Sequence, residues 1–242
     1  MAEPLLSLAG VHTHIGRYHI LQGVDLAVPR RGLTALLGRN GAGKTTTLRT
    51  IMGLWRASAG TVRFDGADIA ALATPDIARL GVAYVPENMG IFAGLTVEEN
   101  LLLAAREGAL PPDRLARIHA LFPPLQKFRD LAAGALSGGQ KQMLALARAM
   151  IEPRRLLLVD EPTKGLSPAV VAQLRQAFEA LKAETPILLV EQNLAFAAAL
   201  ADTVVVIDDG RTVHAGPMAA LAADAEMQRR WLGLDLGARH AG

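Results

Sequence analysis

The stretch GRNGAGKTT, Gly38 to Thr46, places Gly38, Gly43, Lys44 and Thr45 at the spacing G-x-x-x-x-G-K-[ST]. An apolar run, LTALLG, precedes it and a helical pattern, KTTTLRTIMGL, follows. Glycines in such a loop let backbone N–H groups converge on phosphate oxygens, and the helix N-terminus adds a favourable dipole. The loop Gly38, Arg39, Asn40, Gly41, Ala42, Gly43, Lys44, Thr45 and Thr46 is therefore expected to cradle a nucleoside triphosphate. Lys44 would reach the β- and γ-phosphates and the Thr45 hydroxyl a Mg²⁺ ion.

A second stretch, RLLLVDEP, ends a buried-type strand in two acids, Asp160 and Glu161. Side chains alternate along a strand, so neighbouring acids take different roles. Asp160 is expected to serve Mg²⁺, and Glu161 to face the γ-phosphate and polarise the attacking water. In the third stretch, LSGGQKQMLALARAM, Ser137 and Gln140 form a capping box. Gly138 and Gly139 nevertheless cost a helix start roughly 1 kcal/mol each against alanine. A bare helix N-terminus suits an anion, but no lysine stands at the phosphate-loop spacing, so this is not a second independent site.

These motifs need strands and helices to aim them. Short apolar or alternating runs with turn signals predict strands at LLSLAGV, ILQGVDLAV, LTALLG and TVRFDG. Helices are expected over TVEENLLLAAREG, which Thr96 and Glu99 cap, and over PDRLARIHALF, which Pro123 and Pro124 break. The last third reads as strand RLLLVD, helix PAVVAQLRQAFEALKAE with Pro168 in its first turn, strand PILLVE, helix NLAFAAALAD capped by Asn193, and a strand pair around an Asp-Gly turn. The tail from Met218 is expected to form short helices. Strand–helix–strand alternation argues for a mostly parallel sheet with helices on its faces.

The chain has 242 residues, 51% hydrophobic and 20% charged, which suits one large domain or two small ones with a sizeable core. Its formal net charge is only +2, dispersed, which argues against a nucleic-acid groove. With no cysteine, disulfides, thiolate catalysis and Cys-ligated zinc are excluded. No apolar run is long enough to span a bilayer, and MAEPLLSLAG does not read as a signal peptide. The expectation is a soluble cytoplasmic protein that meets a membrane through a partner. His12, His14 and His119 form no defensible ligand set and are expected to be surface residues.

LSGGQ followed by QMLALARAM and then LLLVDEP, together with the phosphate loop, resembles the ATP-binding-cassette (ABC) family over nearly the whole chain. The resemblance implies an α/β fold: a P-loop NTPase with a RecA-like core, an N-terminal antiparallel β layer and an inserted α-helical subdomain near residues 95–150, in a single domain of residues 1–242. It also implies that Ser137, Gly138, Gly139 and Gln140 act on ATP held by a second subunit stacked head to tail, the glycines being bare so that a foreign phosphate can approach. YVPENMGIFAGLTVEENL, DEPTKGLSP and LLVEQN are similar to the ATPase subunits of branched-chain amino acid uptake systems.

Four positions depart from the general family pattern. Glu87 stands where a glutamine near water and Mg²⁺ is usual; a carboxylate can still approach a metal shell. The stretch from Glu87 to Phe92 would form the groove for a membrane subunit. Gln192 replaces the switch histidine, so it is expected to touch the γ-phosphate without titrating near pH 6.5. Ser167 stands in place of an aspartate in the loop that links the two subunits. Ile15 occupies the place of the adenine-stacking aromatic, with Tyr18 three residues on as the alternative.

The implied activity is hydrolysis of Mg²⁺·ATP, coupled to integral membrane permease subunits at the cytoplasmic face and served indirectly by a solute-binding protein. A second ABC ATPase subunit, a paralogue or another copy of this chain, completes the sites. With a paralogue, this chain's own site is expected to be the slower. An ABC ATPase acting on nucleic acid is disfavoured because no heptads separate Lys44 from Ser137 and there is one cassette, not two. A nucleotide-binding regulator without turnover is the remaining alternative.

Overall fold

The computed structural model describes residues 3–106 and 108–233. The chain opens with two long strands, β1 (Leu6–Ile15) and β2 (Tyr18–Val28), then β3 (Leu33–Leu37) and helix α1 (Lys44–Ile51). Next come β4 (Ala57–Phe64), β5 (Ala67–Asp68), α2 (Thr74–Arg79) and β6 (Val82–Val85). Between β6 and the next strand the described residues form α3 (Val97–Leu102), α4 (Pro112–Leu121), α5 (Pro123–Lys127), a 3-10 turn over Ala133–Ala135 and α6 (Gly138–Met150). The order then runs β7 (Leu156–Asp160), α7 (Pro168–Lys182), β8 (Ile187–Val190), α8 (Leu194–Leu200), β9 (Thr203–Asp208), β10 (Arg211–Pro217), α9 (Met218–Ala223) and α10 (Ala225–Met227), with a π-helical turn over Gln228–Leu232.

Two sheets result. One has four antiparallel strands in the order β2-β1-β4-β5; the other has six in the order β10-β9-β3-β8-β7-β6. In the second, β3 pairs in parallel with both β8 and β9, and β7 with β6 and β8. Only β10 runs antiparallel, to β9. Parallel strands covered on both faces must be apolar throughout, and β7 shows why. Leu157 and Val159 enter the core beneath the helices, whereas Leu156 and Leu158 enter the core between the two sheets. The sheets are stitched where Gln22 N–H donates to Gly210 C=O at 2.7 Å and the Thr212 hydroxyl to Asp25 C=O at 2.7 Å.

The α/β core and antiparallel layer match the sequence expectation; several boundaries do not. The helix expected over TVEENLLLAAREG stops at Leu102, where tight backbone bonds from Ala104 to Leu101 and from Ala105 to Leu102 turn the chain. Pro123 and Pro124 begin α5 as well as end α4, because proline fits the first helical turn. The strands β5 and β6 and the helix α2 carried no sequence expectation. The tail does form short helices from Met218; the remainder of that tail, past residue 233, lies outside the described residues.

Candidate active site

The phosphate loop leaves β3 at Leu37 and enters α1 at Lys44. Gly38 has φ 151°, and a Cβ there would sit 2.2 Å from Ile207 C=O. Gly43 has φ 105° and caps α1, and its Cβ would meet Leu21 Cδ2 at 2.8 Å. A side chain at Gly38 would have to move the backbone of β9, and one at Gly43 would be strained by its positive φ and would displace the Leu21 side chain. Lys44 is buried, 5% exposed, and its ammonium donates to Gly38 C=O at 3.0 Å and Arg39 C=O at 3.1 Å. Its charge is thus held against the carbonyls at the start of the phosphate loop.

Asp160 closes β7, fully buried. The Thr45 hydroxyl donates to its Oδ1 at 3.1 Å and the Tyr84 hydroxyl to its Oδ2 at 3.2 Å. Burial pushes the Asp160 carboxyl above its ordinary range, with Glu161 and Glu87 adding repulsion. Burial, then Asp160, lifts the Tyr84 phenol to about 12, so it remains a donor. Glu161 comes next with φ 47°, a left-handed backbone rare outside glycine and costly without a surrounding structure that imposes it. Its N–H donates to Val190 C=O at 2.9 Å, so pairing beside β8 survives while the side chain is swung into the cleft. This kink adds to strand alternation in separating the two acids.

Around Glu161 stand Lys44 at 3.6 Å, the Gln192 amide at 2.6 Å and Lys164 at 3.6 Å. Lys164 also pairs with Glu87 at 2.6 Å, and that bond first, then the charges of Glu87 and Glu161, raise its pKa. Glu191, next to Gln192, accepts from the Thr163 N–H and hydroxyl and from the N–H groups of Gln192 and Asn193. Asn193 caps α8 as expected.

One cleft of about 360 Å³ gathers Asn40, Gly41, Gly43, Lys44, Thr45 and Thr46 with Glu87, Glu161 and Gln192. Ile20 and Lys164 also line it. A second, of about 370 Å³, takes in Gly38 and Arg39 with the tail residues Leu232 and Gly233. Arg39 donates to Arg230 C=O at 3.2 Å, so the tail rests on the phosphate loop. The Gln192 amide, expected on a γ-phosphate, is held by Glu161 in this structure. Ile15 and Tyr18 pair across the β1–β2 hairpin beyond the residues lining the cleft, and Tyr18 is 60% exposed beneath the Arg17 guanidinium. Ser137, Gly138, Gly139 and Gln140 line neither cleft.

The two glycines of LSGGQ differ in their surroundings, and packing adds a second reason for glycine at one of them. A Cβ on buried Gly139 would lie 2.6 Å from Val170 Cγ1, so close packing of α6 on α7 already demands glycine there. Exposed Gly138 has ordinary space, with Leu166 Cδ2 at 3.7 Å. The capping box forms in both directions: Ser137 N–H to Gln140 Oε1 at 2.9 Å and Gln140 N–H to Ser137 Oγ at 3.3 Å. Ser167 begins α7 without a side-chain cap bond. His12 and His14 do find a third histidine, His19, with His12 Nδ1 and His19 Nε2 3.0 Å apart and His14 stacked on His19 at 4.1 Å. The rings stack instead of converging, and no group of three acids or histidines could hold a metal among the described residues.

Residues 21–164 match the family described as ABC transporter. The chain is 36% identical to the high-affinity branched-chain amino acid transport ATP-binding protein BraG of Pseudomonas aeruginosa, over 95% of this chain and all of that one. It is also 36% identical to the probable branched-chain amino acid transport ATP-binding protein LivF of Archaeoglobus fulgidus, over 89% and 93%. The chain belongs to the ABC transporter family. As an ABC cassette it is an ATPase. Its fold superposes on that of an ATP-binding cassette solved in an ADP conformation, with a TM-score of 0.81 at 22% identity over 96% of this chain and all of that one.

The cassette's oxygen groups fit Mg²⁺. Asp160 is buried with only neutral hydroxyls bonded to it, the Thr45 hydroxyl lies against it, and hard oxygen donors suit this ion. Because no group of three acids or histidines among the described residues could hold a metal unaided, phosphate oxygens and water would complete such a shell. Tyr84, Lys164 and Ile20 were missed from the sequence. A lysine inside DEPTKG, three residues past the glutamate, was the one available signal for Lys164.

Proposed function

We propose that this cassette energises an importer of branched-chain or related amino acids from the cytoplasmic face of the membrane. The observation that supports turnover, as opposed to mere nucleotide binding, is the Glu161 carboxylate. It is thrown by a left-handed kink into the same cleft as Lys44 and the phosphate loop. Lys44 and the amides of Gly38 to Thr46 bind the triphosphate; Thr45, Asp160 and Glu87 would hold Mg²⁺, which would supply neutralising charge for the phosphoryl oxygens. Glu161 orients the attacking water and accepts its proton. Gln192, already bonded to Glu161, holds that carboxylate until it turns to the γ-phosphate. Adenine rests near Ile15 and Tyr18.

No helix among the described residues is long and apolar enough to cross a membrane. Coupling therefore needs permease subunits, and a cleft of about 720 Å³ offers a seat. Met52, Leu54, Trp55, Met89 and Arg148 line it, as do Pro86 and Asn88 on either side of Glu87. The substrate class is that of the relatives BraG and LivF. Phosphate release by the purified chain tests the ATPase: Glu161→Gln is expected to lower it by roughly 10²–10⁴-fold while Mg²⁺·ATP binding persists. Equal release from both proteins would remove Glu161 from the role of base. Uptake by membrane vesicles carrying the neighbouring permease genes, assayed with labelled leucine, tests the transported class.

A further inference from the structure

Three carboxylates, Asp160, Glu161 and Glu87, share this site: Glu161 and Glu87 repel Asp160 and both pair with Lys164. Two lysines answer them, and they differ in kind. Lys44 is 5% exposed and anchored by two loop carbonyls. Lys164 is 59% exposed, and its ammonium is held only by carboxylates, at 2.6 Å from Glu87 Oε1 and 3.6 Å from Glu161 Oε2. A lysine is a compact charge on a flexible four-carbon stem, so Lys164 can leave by rotating its own side chain, with the backbone fixed.

We propose that Lys164 is a positioning residue: a resident counter-ion that holds Glu87 and Glu161 together in the nucleotide-free cassette and is displaced from Glu87 when Mg²⁺ arrives. The inference rests on the reading of Thr45, Asp160 and Glu87 as the groups that receive Mg²⁺. An ammonium 2.6 Å from Glu87 Oε1 and a Mg²⁺ ion brought to the same carboxylate repel each other, so the two cations compete for Glu87. The competition also gives a reason for an acid at position 87. A neutral amide there would hold the lysine weakly, leaving Glu161 as its only charged partner. Because Pro86 and Asn88 line the 720 Å³ groove, the exchange takes place on the loop that a permease segment would touch.

The test is binding, not turnover. A fluorescent non-hydrolysable ATP analogue is titrated with Mg²⁺ on the wild-type chain, Lys164→Met and Lys164→Arg. An exposed ion pair of this kind translates to a roughly two- to five-fold change in an equilibrium. Lys164→Met is therefore expected to reach half-saturation at roughly two- to five-fold lower Mg²⁺, with Lys164→Arg close to wild type and metal-free analogue affinity unchanged in both. In a Glu87→Gln background the Lys164→Met effect is expected to vanish. An unchanged half-saturation point, or an effect that persists without Glu87, overturns the proposal. So does weaker metal-free binding, which would make Lys164 a phosphate ligand. Wild-type protein that binds the analogue with no Mg²⁺ dependence would instead defeat the underlying reading of the metal site.

Discussion

Adjacent residues of one motif can be constrained by different physics, as Gly138 and Gly139 illustrate. Gly139 is confined by Val170 on α7, and a methyl group at 2.6 Å from a branched side chain forces a shift of one helix against the other. Gly139→Ala is expected to destabilise the nucleotide-free chain by about 1–3 kcal/mol, the usual cost of overpacking. Gly138→Ala meets Leu166 at an ordinary 3.7 Å, and the change is expected to be neutral or to stabilise by up to about 1 kcal/mol through helix propensity. Urea denaturation of the two variants checks this, and equal effects would show that α6 and α7 do not pack as described. Glu161 makes the same point about backbone: its left-handed φ belongs to the loop beyond β7, not to the motif letters.

At the scale of elements, Glu191 ties the end of β8 to the turn after β7 through its bonds to Thr163. Burial pushes the Glu191 carboxyl above its ordinary range, against the four hydrogen bonds that pull it down. Between the ordinary and the raised value the folded chain keeps a proton that the unfolded chain has lost. Stability therefore falls as pH rises through that interval, from about 4.3 upward. Glu191→Gln is expected to flatten this fall, with Asp160, raised in the same direction, supplying what remains. Urea midpoints at several pH values from about 4.5 to 8 read the slope; an unaltered slope would place the effect elsewhere.

Elements also divide what was legible from what was not. β3, β7 and β8 are buried end to end because both faces are covered, and the mostly apolar runs LTALL, LLLVD and ILLV announce this. β6 has only VAYV between Gly81 and Pro86, too short to separate from a loop, so Tyr84 and its bond to Asp160 went unseen. α3 was overextended because LLLAA satisfies any apolar periodicity, although Leu103 is in fact exposed. The site motifs were readable because each is contiguous. The Lys164–Glu87 pair joins residues 77 positions apart, and nothing local marks that contact.

For the whole molecule, the decisive fact is that LSGGQ lines neither cleft beside the phosphate loop. The capping box occupies the N–H groups of Ser137 and Gln140, leaving those of Gly138 and Gly139 without an intrahelical partner. Two such amides at a helix start, at exposed Gly138 and at Gly139 just beneath it, suit an anion that this chain's own nucleotide site does not present to them. We propose that a nucleotide held by a second cassette does. With hydrolysis stalled by Glu161→Gln, Mg²⁺·ATP is expected to drive the chain, alone or with a paralogous cassette, from monomer to dimer in sedimentation velocity. Adding Gly138→Ala tests the contact itself. Its methyl group is tolerated by the fold but stands where the foreign phosphate must approach, so the dimer should weaken by roughly tenfold or more, a change of about 1.4 kcal/mol. Affinity of the monomer for Mg²⁺·ATP should stay as it was, because Gly138 is remote from that cleft. A dimer indifferent to this methyl group would mean that the two cassettes meet through some other face.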